Sequence, residues 1–113
     1  MKFFLRLLLI GVMTLPAEAE QGTWVLGYNL TTCGSWTKER AARSANAVVF
    51  DAWITGYLSG VAMTGSPSLL FGIDNDAIEG WIDNYCSAHP LDVLSEATVA
   101  LVKELRSRVK PSN

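Results

Sequence analysis

The chain has one histidine, His89, and only two cysteines, Cys33 and Cys86, among 113 residues. A metal centre needs more ligands than these residues supply, and a catalytic nucleophile would have His89 alone as its histidine base. The cysteines are also too far apart for a C-x-x-C redox motif. An excess of positive charge is lacking as well: Lys+Arg number 9 against Asp+Glu 11, a net charge of −2. That balance leaves no electrostatic footprint for nucleic acid and no polybasic membrane anchor. Charged residues make up only 18%, while half the chain is hydrophobic, which excludes a disordered acidic tail. The length excludes a multidomain enzyme. Internal repeats, linkers and low-complexity segments are all missing.

The first 19 residues read as an address. Lys2 and Arg6 form a basic start, residues 7–15 form a short apolar run, and Ala17-Glu18-Ala19 places small residues where a signal peptidase reads. The run is well short of the roughly 20 apolar residues that span a bilayer. Cleavage after Ala19 is expected, leaving a domain of residues 20–113 that is exported to the periplasm and has no membrane segment. No cysteine at the cleavage site calls for a lipid. An oxidising compartment makes Cys33–Cys86 the expected disulfide. The two are 53 positions apart, and closing such a loop contributes about 4 kcal/mol in the chain-entropy model.

Residues 20–32 alternate Trp24, Leu26, Tyr28 and Leu30 with other residues, which predicts an extended lead-in or turn. A first helix is expected over about 37–63, capped by Thr37 or Ser35, with a break or late start among the polar residues 38–46. Its broad face would hold Ala41, Ala45, Val48, Val49, Ala52, Trp53, Gly56, Tyr57, Gly60 and Val61. Trp53 and Tyr57 are four apart and should stack. Gly56 and Gly60, also four apart, predict close approach of another helix backbone. A membrane dimer motif would need a longer apolar context. Residues 64–68 (Thr-Gly-Ser-Pro-Ser) stop the helix. The apolar run of Leu69, Leu70, Phe71, Gly72 and Ile73 then either plugs one end of the core or forms an exposed patch. Asp74 caps a second helix over about 75–87, with Ala77, Ile78, Trp81, Ile82 and Tyr85 as its apolar stripe. Asp76, Glu79 and Asp83 form an acidic stripe, expected to face solvent. After His89-Pro90, Asp92 or Ser95 caps a last helix over about 92–109, with Leu94, Ala97, Leu101, Val102, Leu105 and Val109 in helical spacing. The expected fold is all-α: a small single-domain orthogonal bundle of three to four helices with one disulfide.

Several residues carry a resemblance. Thr32-Cys33 precedes the first helix, Gly56-Tyr57 lies within it, and Tyr85-Cys86 closes the next. Together with the segment WIDNYCSAHPLDVLSEATVALVKEL (81–105), they resemble the HdeA/HdeB family of small periplasmic acid-stress chaperones. The pattern is also similar to the Rap/Tai immunity proteins of type VI secretion, through Gly27, Leu30 and Cys33, through Gly56, Tyr57 and Gly60, and through Pro90 between two helices. The first resemblance implies a chaperone that loosens in acid and exposes apolar surface. The second implies an inhibitor that binds a peptidoglycan-cleaving effector or hydrolase. Near pH ~2 neutral carboxylates would leave the exported domain at about +9, a charge that destabilises a compact state.

On either reading the protein binds a protein partner or an unfolded client, with a homodimer as a further arrangement, and neither nucleic acid nor membrane as partner. Leu69, Leu70, Phe71 and Trp81 are the candidate contact residues; Trp53, Gly56, Tyr57 and Gly60 are the expected helix-packing residues. No catalytic residue, metal or cofactor is expected. Ser59, within Tyr57-Leu58-Ser59-Gly60, lacks the flanking pattern of a nucleophile elbow.

Overall fold

A computed structural model of the chain describes residues 26–28 and 30–109. The expected signal segment 1–19, and Trp24 in the expected lead-in, lie outside the described residues. Four helices follow one another: α1 (Cys33–Ala42), α2 (Ala45–Gly65), α3 (Asn75–Ala88) and α4 (Leu94–Arg108). The protein is all-α with one disulfide, Cys33–Cys86.

The helix expected over 37–63 does break among its polar residues 38–46, and the part before the break is a helix of its own, starting at Cys33. Thr32, not Thr37 or Ser35, caps α1: its side chain accepts from the Ser35 N–H at 3.1 Å. Helix α1 stops at Arg43, which takes a left-handed conformation (φ 50°, ψ 42°), and Ser44 starts α2 by accepting from the Ala47 N–H. Ser44 Oγ also donates to the Glu39 carboxylate, joining the two helices across the break.

α1 has ten residues, too few to persist alone in water, and it buries only Cys33 and Trp36. Its anchors are specific. The N–H groups of Cys33 and Gly34 donate to the carbonyls of Asp92 (2.8 Å) and Pro90 (3.1 Å), so the turn between α3 and α4 satisfies two donors left open at the helix start. Trp36 Nε1 donates to Asp83 at 2.7 Å, and Arg40 spans Asp83 (3.1 and 2.8 Å) and Glu79 (2.8 Å) on α3 while lying over the Trp36 ring. The acidic stripe expected to face solvent is therefore corrected. Asp76 is exposed, but Glu79 and Asp83 dock α3 onto α1.

α2 packs on a different face from the expected one. Ala47, Phe50, Ile54 and Leu58 are buried, whereas Ala45, Val48, Val49, Ala52, Gly56 and Gly60 are exposed, as is Ala41 on α1; of the expected face Val61 packs partly against the core, with Trp53 and Tyr57. A Cβ at Gly56 or Gly60 would meet no described residue within 4 Å, so the expected helix approach is not made among the described residues. α2 is apolar on all sides, and periodicity cannot choose between two apolar faces. By length and composition it is also long and apolar enough to cross a membrane, which corrects the expectation that this context is missing. Trp53 and Tyr57 do stack, with centroids 5.7 Å apart, and both pack partly against the core. Trp53 Nε1 reaches the Leu26 carbonyl at 2.9 Å over Gly27. Gly27 is at φ +94°, and a Cβ there would lie 2.7 Å from that indole nitrogen.

α3 and α4 match their periodicity closely. Asp74 caps α3 as expected, accepting from Ala77 N–H at 2.8 Å, and α3 buries Ile78, Ile82 and Cys86. α4 starts two residues later than expected, at Leu94. Its N-cap is Val93 rather than Asp92 or Ser95, with the Glu96 carboxylate accepting the Val93 N–H at 3.2 Å. Leu94, Ala97, Leu101, Val102 and Leu105 are buried, while Val109 is exposed.

Candidate functional site

The connection between α2 and α3 determines where the candidate contact residues sit. Ser66, Ser68 and Leu70 each accept a backbone hydrogen bond from three residues on, coiling the segment into successive turns. Such turns send neighbouring side chains in different directions. Leu69 points inward and is only 2% exposed, Leu70 is half-buried against the core, and Phe71 is 91% exposed. The two alternatives for this run are thus both realised, by different residues. Leu69 plugs the core, which removes it from the contact surface of the folded chain. Phe71 supplies the exposed patch.

Phe71 borders an open cavity of about 440 Å³ with Ser68, Leu69, Ile73, Leu105, Arg108 and Val109. A smaller one of about 120 Å³ is lined by Ile73, Ala77, Ile78, Trp81, Leu101, Glu104, Leu105 and Arg108. The two share Ile73, Leu105 and Arg108. They form one groove, with Phe71 at one end and Trp81 at the other. Trp81, ten positions further along the chain, is thereby brought onto the same surface as the loop. Arg108 at the shared edge pairs with Glu104 at 2.9 Å, so the groove's charged rim is locally neutralised. Leu105, Arg108 and Val109 come from the end of α4. The only sequence signal for Leu105 was its place in a core stripe, and nothing marked Arg108 as part of this surface.

Trp81 is held from behind. Its ring stacks on Tyr85 (centroids 5.5 Å apart), which stacks on His89 (4.3 Å), one turn of helix per step. The Tyr85 hydroxyl donates to Asp92 Oδ2 at 2.6 Å. That bond to a carboxylate, with burial second, pushes the phenol up from 10.0 to about 12. The ladder fixes the α3–α4 turn and sets Trp81 on a rigid backing.

No family model, curated protein or solved structure matches the chain. The likeness to HdeA/HdeB and to Rap/Tai proteins rests on the residues quoted for it. Chemically, the groove offers a broad apolar contact ended by two aromatic rings and edged by one ion pair. Such a surface suits an apolar protein segment better than a polar small molecule.

Proposed function

We propose that this protein is a small exported protein-binding protein, a periplasmic chaperone of HdeA/HdeB type acting in acid stress, and that it works by binding rather than by catalysis. The observation that carries the reading is the groove from Phe71 to Trp81. Phe71, 91% exposed, stands at the end of an apolar groove that Trp81 closes at the other, and it is this contiguous apolar surface that suits a partner. Covering Phe71 contributes about 1.5–3 kcal/mol to an encounter. Acid fits this scheme. When carboxylates are neutralised, Arg40 loses both charged partners and the exported domain carries about +9. The disulfide still joins α1 to α3, so loosening stops short of full unfolding.

The test uses the protein as exported by its producing cells, with its mass confirming removal of residues 1–19. Light scattering of an acid-labile client is followed from about pH 7 to about pH 2.5. Suppressed scattering, weakened roughly tenfold or more by Phe71→Ser, supports the chaperone reading. No suppression with helicity intact overturns it.

The same protruding Phe71 favours a second reading, an immunity or inhibitor protein of Rap/Tai type. Here the loop enters the cleft of a peptidoglycan-cleaving effector or hydrolase. That complex would form at neutral pH and would also be lost with Phe71→Ser, so the pH of binding separates the two readings.

A further inference from the structure

The groove from Phe71 to Trp81 is not uniform along its length. It is two cavities that meet at a waist, about 440 Å³ beside Phe71 and about 120 Å³ beside Trp81. Ile73 and Leu105 wall both, and Arg108 stands at the rim where they join. The waist is polar, and its hydrogen-bonding capacity is half used. Arg108 Nε donates to Glu104 Oε1 at 2.9 Å, and Arg108 Nη2 lies 2.9 Å from the same oxygen. Among the described residues nothing engages Glu104 Oε2 or Arg108 Nη1. The rim therefore holds an open acceptor next to an open donor. Their i,i+4 pairing on α4 keeps the two groups together.

An extended peptide carries the complementary pattern. The N–H and C=O of one residue point to the same edge of a strand, and the side chains before and after it point together to one face. A helical segment lacks this pattern, because its backbone donors and acceptors are used within the helix. An acyl chain has no N–H for the carboxylate.

We propose that the groove takes an extended polypeptide segment with two apolar side chains two positions apart, and that Arg108 and Glu104 hold the backbone of the residue between them. The proposal rests on the reading of the groove as a protein-binding surface and names what that surface selects. A large side chain such as Phe enters the cavity beside Phe71, and a small one such as Val enters the cavity beside Trp81. The middle residue donates its N–H to Glu104 Oε2 and accepts from Arg108 Nη1 through its C=O. Its own side chain faces solvent and is free to vary. Arg108 and Glu104 are thus specificity residues for chain conformation, and the two cavities set the sizes.

The test is calorimetric titration of the exported, oxidised protein at about pH 7 with the end-blocked peptide Gly-Ser-Phe-Ser-Val-Ser-Gly. Binding should be weak and saturable, with Kd in the range of about 0.01–1 mM. Replacing the N–H of the central serine by an ester oxygen should weaken it roughly fivefold. A helix-forming peptide with Phe and Val four apart should bind at least as poorly as the ester. In Glu104→Ala the parent peptide should bind roughly fivefold more weakly, and the ester should bind no worse than the parent. Ala77→Leu, which fills the smaller cavity, should erase the preference for Val over Gly there. Both positions lie outside the buried core, and Glu104→Ala is the variant to read if Ala77→Leu loses helicity. No binding at about 1 mM peptide overturns the proposal. So does an ester that binds wild type as well as the parent does, an ester effect that survives Glu104→Ala, or a helical peptide that binds best. Suppressed scattering at about pH 2.5 without peptide binding at about pH 7 overturns this proposal and leaves the chaperone reading standing. Peptide binding without suppression does the reverse.

Discussion

Arg43 adopts a left-handed backbone that costs a side-chain-bearing residue about 1–2 kcal/mol. It does so because Ser44 must leave the helical path to cap α2, and the intervening residue takes the strain. No glycine is present there to absorb it. Arg43→Gly is therefore expected to stabilise the protein by about 0.5–1 kcal/mol, the relief of strain outweighing the added freedom of the unfolded chain. A rise in the urea midpoint with unchanged slope would show it. A fall would mean that the Arg43 side chain contributes more than its backbone costs. Phe71 and Leu69 make a related point. Their sequence context is nearly the same, yet one is exposed and the other is core. Only the turns that coil the segment decide which is which, since they send successive side chains in different directions.

At the scale of elements, the periodicity of α3 and α4 was legible because each has one apolar stripe and a polar remainder. The polar residues 38–46 pointed to a break between α1 and α2, and the structure places it at Arg43 and Ser44, but the pattern did not show that a helix precedes it. The break rests on a capping serine in a stretch of mixed polarity, and α2 is apolar all round. The ties between elements were equally invisible, since Arg40 meets Glu79 and Asp83 across some forty positions. The tie between α3 and α4 yields a prediction in alkali. The Tyr85 phenol is raised from 10.0 to about 12 by its bond to Asp92. Its neutral form is thus favoured in the folded chain. The stabilisation is complete below pH 10 and is lost as pH rises from 10 through about 12. Tyr85→Phe should remove a phenolate step at about 12 and flatten the stability profile in that window. An unchanged titration would show that the bond to Asp92 does not persist in solution.

For the molecule as a whole, the disulfide carries an unusual share of the stability. Its 53-residue separation corresponds to about 4 kcal/mol, and small domains have ~5–15 kcal/mol in total. Reduction, or paired Cys33→Ser and Cys86→Ser, should lower the urea midpoint by an amount equal to about 4 kcal/mol and bring the chain close to unfolding at 37 °C. α1 should be lost first, because Trp36 and Arg40 are then its main ties to α3. A reduced protein as stable as the oxidised one would mean that this ionic and aromatic contact, with the backbone bonds of Cys33 and Gly34 to the α3–α4 turn, holds α1 without the disulfide.

By itself the sequence determined the helical class, the pairing of the only two cysteines, the Asp74 cap, and the inward faces of α3 and α4. Each follows from local spacing or from having a single option. The tertiary structure alone decided which face of α2 is covered, which apolar side chains of the loop stay exposed, and that Trp81 and Phe71 share a groove with the end of α4. These depend on how elements distant in the chain meet. A helix with two apolar faces, and a loop with four large apolar side chains, contain no local signal that selects one arrangement over another.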